Sequence, residues 1–93
     1  MGGLKALVKV WINETNIYSN PLKCLHSSYF DTMQKYPKEE LINTLLDILE
    51  ESAMMQPMMA LEKITGENPV PSEHRGYVAE MRQDWLNWRK NRS

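Results

Sequence analysis

The sequence predicts an all-α protein, a compact bundle of four or five short helices that forms a single helical domain over residues 1–93. Apolar residues recur every three or four positions in several stretches, which is the period of an amphipathic helix. Proline and glycine residues separate these stretches and act as joints between helices. A chain of this length can bury a modest core without disulfides or metals. Residues 1–3 are expected to be a disordered start, and residues 90–93 a frayed tail.

The first predicted helix lies within residues 4–13. Its apolar face has the spacing of an amphipathic helix and consists of Leu4, Leu7, Val8, Trp11 and Ile12. The β-branched residues in the same stretch keep a strand as the alternative. Asn20 and Pro21 mark the next break, and residues 22–26 are then expected to form one helical turn.

The third predicted helix is expected to be the central one. It should begin at Pro37, because proline is tolerated in a first helical turn. A wide apolar face predicts contacts with helices on two sides. That face consists of Leu41, Ile42, Leu45, Leu46, Ile48 and Leu49. A short helix before it should begin at Ser27 or Ser28, since serine is a favoured N-cap.

A methionine-rich helix and a stiff connector follow the central helix. Pro57 is expected to open this helix and Gly66 to end it, because glycine adopts the left-handed conformation of helix C-termini without a steric clash. Pro69 and Pro71 should keep the connector extended. The methionines are interpreted as flexible core filler, with an adaptable binding groove as the alternative. They are Met54, Met55, Met58 and Met59.

The last helix is expected to cover residues 77–91. Its apolar stripe has heptad-like spacing and consists of Val78, Met81, Trp85 and Trp88. Two tryptophans on one stripe bury a large apolar area, so this helix should pack on the core of its own domain. The alternative is a surface for a partner, because tryptophan and arginine dominate interface hot spots.

Charge is distributed unevenly along the chain, although its net value is −1. Residues 1–38 carry five basic and two acidic side chains, and residues 39–73 carry one basic and eight acidic ones. Residues 74–93 again carry five basic and two acidic side chains. Either the basic ends fold over the acidic middle, or one molecule meets another end to middle. The second arrangement would make the chain a homodimer.

No motif in the sequence supplies the chemistry of an enzyme. Cys24 is the one cysteine, which excludes an intramolecular disulfide, and it is interpreted as a small buried hydrophobe. His26 and His74 lie outside any zinc-ligand spacing, and there is no glycine-rich phosphate loop. The sequence therefore predicts no catalytic residue, no cofactor and no metal.

The N-terminal stretch does not have the pattern of a signal peptide. Lysines interrupt the apolar residues within 4–12, and no small-residue cleavage motif follows. No apolar run approaches the roughly 20 residues that span a membrane. We expect a cytoplasmic protein that does not contact a membrane.

Arg75 is the notable polar residue of the connector that precedes the last helix. We expect it to pair with Glu67 or Glu73. The alternative is that its guanidinium binds an anion or a carboxylate of a partner.

The C-terminal third of the chain carries a resemblance. Its pattern runs through residues 60–71 and continues with Arg75, Gly76, Met81, Trp85, Leu86 and Trp88. It resembles a family of short uncharacterised bacterial proteins and is similar to the closing segment of some HEAT-like helical-repeat proteins. The resemblance implies an all-helical domain with HEAT-like packing, and it implies no activity. The helices are therefore expected to form a compact bundle with orthogonal or HEAT-like packing. The chain departs from the family at Pro57, Met58 and Met59, where the family tends to have aromatic residues.

These observations favour a small non-enzymatic protein–protein interaction module. Its partner is an unknown protein or a second copy of the chain. The predicted contact surface combines the methionine-rich helix with the connector and the last helix. It consists of Met58, Met59, Arg75, Trp85, Trp88 and Arg89.

The alternative function is that of a nucleic-acid-associated accessory protein. It would use the cations of the last helix, Arg82, Arg89, Lys90 and Arg92. The pI of about 6.1 and the absence of a motif that reads DNA or RNA make this alternative the less favoured one.

Overall fold

The computed structural model describes residues 3–16 and 21–92. Five α-helices follow one another: α1 (Gly3–Thr15), α2 (Ser28–Met33), α3 (Lys38–Glu51), α4 (Met55–Thr65) and α5 (Val78–Arg92). Two 3₁₀ turns connect them, at Pro21–His26 and Ser72–His74. No β-strand occurs in the described ranges, so the all-α prediction is confirmed. The predicted break at Asn20 lies outside the described residues.

Helix α3 is the centre of the bundle. It packs against α1, α4 and α5. All six residues of its predicted apolar face are at most 2% exposed. The prediction that this helix has neighbours on more than one side is therefore confirmed.

The first helix packs on the core through Trp11, whose side chain is fully buried. Its indole Nε1 donates a hydrogen bond of 2.8 Å to the backbone carbonyl of Cys24 in the first 3₁₀ turn. The Trp11 ring also lies 5.7 Å from the ring of Phe30 in α2. One side chain thus connects three elements, and the alternative that residues 4–13 form a strand is wrong.

Several element boundaries differ from the predictions. Pro37 is the N-cap of α3 and not its first helical residue. Helix α4 begins at Met55, so Pro57 is its third residue and not its first. Proline is accepted there because the backbone N–H groups of a first helical turn have no intrahelical acceptor. Ser27 is the N-cap of α2, where its Oγ accepts a hydrogen bond from the Tyr29 N–H at 3.1 Å.

The two chain ends also differ slightly from the predictions. Helix α1 begins at Gly3, and residues 1 and 2 lie outside the described ranges. Residues 90–92, expected to be frayed, continue α5. Arg92 holds this end in place, because its Nη2 donates to both carboxylate oxygens of Glu39 at 3.0 and 2.9 Å.

The basic ends of the chain fold over its acidic middle. Lys5 of α1 forms an ion pair of 2.7 Å with Glu51 at the end of α3. Arg89 of α5 forms an ion pair of 2.7 Å with Asp47 on α3. The first of the two charge arrangements that the sequence allowed is therefore present within a single chain. Exposed ion pairs contribute little net stability, so these contacts orient α1 and α5 more than they stabilise them.

The connector between α4 and α5 is rigid for local reasons. Gly66 ends α4 with a φ of 72°, the left-handed conformation predicted for it. Asn68 Oδ1 accepts a hydrogen bond from the Val70 N–H at 3.1 Å. Val70 is 6% exposed and attaches the connector to the core. This geometry fixes the position at which residues 75–77 enter α5.

The contact between Trp11 and Cys24 gives a test of the packing. Replacing Trp11 with Phe keeps an aromatic ring but leaves the buried carbonyl of Cys24 without its donor. We expect the free energy of unfolding to fall by about 1–3 kcal/mol, measured by urea denaturation.

The matched control is Thr44→Val. It removes an exposed hydrogen bond of 2.8 Å from Thr44 Oγ1 to the Glu40 carbonyl, and it should change stability by less than about 0.5 kcal/mol. A Trp11→Phe protein as stable as the control would contradict this account of the core.

Candidate interaction groove

A groove lies between α4, the connector and α5. Its volume is about 260 Å³. The apolar lining consists of Met55, Met58, Met59, Val70, Met81 and Trp85. The polar lining consists of Glu62, Asn68, Arg75 and Gly76. Four of the six residues predicted to form a contact surface are therefore brought together here.

Helical spacing explains the apolar lining. Met55, Met58 and Met59 stand at i, i+3 and i+4 of α4 and so share one face. Met58 is 2% exposed and Trp85 1% exposed, so these two form the floor. Met55 and Met59 are half-buried and form one wall. The interpretation as core filler holds for Met58, which is fully buried, whereas Met55 and Met59 line a groove whose role as a binding site stays a prediction.

Thioether side chains suit a site that must adapt to its occupant. Methionine is unbranched and has three rotatable bonds, so it fits apolar groups of different shape. Met81 of α5 supplies a fourth thioether from the opposite wall. The groove can therefore accept an apolar side chain without one fixed shape.

Arg75 lies at the rim and is exposed. The expectation that it pairs with Glu67 or Glu73 is wrong. Glu67 accepts a hydrogen bond of 3.1 Å from the Trp88 indole Nε1 instead. Within residues 3–16 and 21–92, no carboxylate or carbonyl accepts a hydrogen bond from the Arg75 guanidinium.

Local backbone geometry presents Arg75 at this position. The residue follows the second 3₁₀ turn in an extended conformation, with φ −62° and ψ 130°. Gly76 then adopts a φ of 88°, a value that residues other than glycine rarely adopt. The chain turns at this residue before α5 begins. Tyr77, directly after it, is 63% exposed. Sequence analysis did not single out Tyr77, since an isolated tyrosine before a helix carries no periodic signal.

Trp88 and Arg89, the other two predicted contact residues, do not line the groove. The ring of Trp88 lies edge-on to that of Trp85, with centroids 5.2 Å apart, and Arg92 lies 4.5 Å above it. Arg89 pairs with Asp47 on α3. Both residues serve to attach α5 to its own domain, which was the preferred interpretation of the tryptophan stripe.

The cations of the alternative function are mostly engaged within the chain. Arg82 donates to the backbone carbonyls of Leu49 and Glu50 at the end of α3. Arg89 and Arg92 pair with carboxylates, as described above. A nucleic-acid backbone would have to compete with these contacts.

Glu62 was also missed by sequence analysis as a groove residue. It stands seven positions after Met55 and three after Met59, so it continues the methionine face of α4. It was counted only as part of the acidic middle of the chain. The helical register was the signal that could have identified it.

A larger hollow, of about 630 Å³, lies between α1 and the end of α3. Lys9 and Glu51 on its edge pair with each other at 3.5 Å. It contains none of the six predicted contact residues. We therefore place the candidate site in the smaller groove.

The thiol of Cys24 and the imidazole of His74 both take part in the packing of the fold. Cys24 is fully buried, and burial raises the pKa of its thiol to about 11. His74 Nδ1 lies 2.8 Å from Asp84 Oδ2, which attaches the second 3₁₀ turn to α5. The hydrogen bond with Asp84 raises the pKa of His74 above its ordinary value, against a smaller opposing effect of desolvation. Within the described ranges, no three His, Cys, Asp or Glu side chains are grouped as metal ligands would be.

Comparisons with protein-family models, with curated proteins and with solved structures found no match to the chain. Within residues 3–16 and 21–92, no helix has both the length and the apolar character needed to cross a membrane.

The buried thiol gives a second prediction. Cys24 in the folded protein should react with Ellman's reagent at about pH 8 far more slowly than in urea, because the thiolate is both disfavoured and inaccessible. The reaction is followed by absorbance. The control is Ser28→Cys, which adds an exposed thiol that should react rapidly in the folded state. Equal rates for Cys24 with and without urea would contradict its burial.

The pair of His74 and Asp84 gives a prediction on pH. Its stabilising contribution should be fully present below the unfolded pKa of histidine, about 6.5, and should be lost as pH rises through the raised folded value. Asp84→Asn should therefore lower the melting temperature more at about pH 5 than at about pH 8. Thermal unfolding at both pH values measures the difference.

The control for this experiment is Asp31→Asn, which makes the same chemical change on α2. Its effect on the melting temperature should not follow the same pH profile. If Asp84→Asn destabilised the protein equally at both pH values, the ionised pair would not exist in solution.

Proposed function

We propose that the chain is a non-enzymatic protein-interaction module. The groove binds an apolar side chain from a segment of a partner protein, and Arg75 pairs with a carboxylate of the same segment. One observation carries the proposal: of the four arginines in the sequence, Arg75 alone has no acceptor within the described residues, and it lies at the rim of a methionine-lined groove.

The composition of the groove supports a protein partner. Aromatic residues, methionine and arginine are enriched in protein interfaces, and arginine with tryptophan or tyrosine dominates their hot spots. The volume of about 260 Å³ lies below the roughly 300 Å³ at which small-molecule pockets begin. A side chain of another protein therefore fits better than a cofactor.

Charge complementarity identifies the polar part of the partner. An arginine guanidinium presents a planar fork of N–H donors that matches a carboxylate with two parallel hydrogen bonds. The other three arginines show the preference within this chain, because two of them pair with carboxylates and the third with carbonyls. A carboxylate of a partner would supply the hydrogen-bond acceptor that Arg75 lacks within the described residues.

The proposal also covers the packing type, the kinship and the cellular compartment of the protein. The resemblance of residues 60–71 and of the tryptophan pair supports HEAT-like packing and kinship with short bacterial proteins. A single buried cysteine is compatible with the reducing cytoplasm. Nucleic acid is not favoured as the partner, since Arg82, Arg89 and Arg92 are engaged within the chain.

The test is a pull-down from host lysate, run with and without nuclease, followed by titration of the recovered partner. Arg75→Glu should weaken the affinity about tenfold or more, a loss of about 1.4 kcal/mol, because it replaces an attraction with a repulsion. Met59→Ala should also weaken it, because it removes apolar contact area from the wall. Neither change should lower the melting temperature by more than a few degrees, since both side chains lie outside the fully buried core.

The matched control is Lys35→Glu, an identical change of charge at an exposed position away from the groove. It should bind like the wild type. Partner binding that is equal in all variants would refute the groove as the site. Loss of every recovered species after nuclease, or self-association that Arg75→Glu abolishes, would refute a distinct protein partner.

A further inference from the structure

We infer that the groove recognises two opposite charges on its occupant. Arg75 binds a carboxylate at one rim, and Glu62 binds a basic side chain at the other. This inference rests on the proposed function and specifies the partner. The occupant is a peptide segment in which an apolar residue stands between an acidic and a basic one.

The first step is the separation of the two charges. Glu62 lies on α4, whereas Arg75 lies on the connector, so they belong to different walls of the same groove. Both side chains are exposed. No ion pair joins them, and neither carboxylate nor guanidinium has a partner within the described part of the chain.

The second step is the contrast with the rest of the surface. Elsewhere, acidic and basic side chains of different helices make contact, as Lys5 does with Glu51 and Arg89 with Asp47. In the groove, opposite charges line one depression and remain apart. The same groove has an apolar floor formed by Met58 and Trp85.

The third step is the chemistry of the occupant. A purely acidic segment would pair with Arg75 but would be repelled by Glu62. A purely basic segment would pair with Glu62 but would be repelled by Arg75. A segment with both charges satisfies both rims while its apolar side chain displaces water from the methionines. Because the two charges are exposed, they set the register and direction of the segment more than its affinity.

The experiment is selection of a phage-displayed random-peptide library on the immobilised protein. The proteins compared are the wild type, Glu62→Arg, Arg75→Glu, the double charge variant and Met59→Ala. Glu62→Arg should be tolerated by the fold, because residue 62 lies in the last turn of α4, where a cation suits the helix dipole. The controls are Lys35→Glu and Glu14→Arg, which make the same charge changes at exposed positions outside the groove.

The wild type and both controls should enrich peptides with an apolar residue between an acidic and a basic one. With Arg75→Glu, the acidic position of the enriched peptides should become basic. With Glu62→Arg, their basic position should become acidic. With the double variant, the order of the two charges in the peptides should be reversed. A synthetic peptide with the wild-type motif should lose about tenfold in affinity with each single variant. The charge-reversed peptide should regain that affinity on the double variant.

The possible failures are distinguishable. Apolar peptides that share no charge pattern, yet depend on Met59, would overturn the two-charge inference and leave the interaction module intact. Peptides whose enrichment is unchanged by Met59→Ala and by both charge variants would overturn the proposed function as well. Failure of the wild type to enrich any peptide would also overturn both.

Discussion

Helix α3 packs against three other α-helices, and its contacts with α1, α4 and α5 determine where those elements lie. The reason is the width of its apolar face, on which six aliphatic side chains are almost fully buried. Each such side chain contributes about 1.5–3 kcal/mol when it leaves water, whereas an exposed ion pair contributes at most about 1 kcal/mol. Apolar burial therefore holds the bundle together, and the ion pairs along α3 select how α1 and α5 are oriented on it.

The groove is a consequence of this arrangement. Helices α4 and α5 both use the surface of α3, and the connector between them must cross from one to the other. Gly66 and Gly76 reverse the chain at the two ends of the connector, and Val70 anchors its middle. What remains between the two helices is lined by long flexible methionines, which border the depression without filling it. A groove with a methionine lining thus arises where the core is built from adaptable side chains.

Much of the fold could be predicted from the sequence. The face of α3 and the end of α4 at Gly66 carry unambiguous periodic and conformational signals, and both are confirmed. The start of α4 at Met55 could not be predicted, because proline is compatible with several positions of a first turn and Pro57 marks only the turn.

Part of the groove lining was predicted from the sequence. Glu62 was missed although its helical register was a signal, whereas the surroundings of Arg75 carry no such signal. Helical register placed Met58 and Met59 on one face of α4, but neither the packing of Trp85 beside them nor the pairing of distant polar residues leaves a periodic trace. Glu67 was expected near Arg75, and it accepts instead from Trp88, 21 positions further along the chain. Because Glu67 contacts Trp88 and not Arg75, the guanidinium of Arg75 remains available at the rim. Which of several carboxylates an arginine meets depends on the packing of whole helices, so only the structure reveals it.

The central claim is that the groove between α4 and α5 is where a partner binds. The most direct measurement is a titration of protein carrying ¹³C-labelled methionine methyl groups with the selected peptide, followed by NMR. The signals of Met55, Met59 and Met81 should shift. Those of Met33, fully buried in the core, and Met54, outside the groove, should stay in place. Shifts confined to Met54 or Met33, or no shift in any methionine at saturating peptide, would contradict the account.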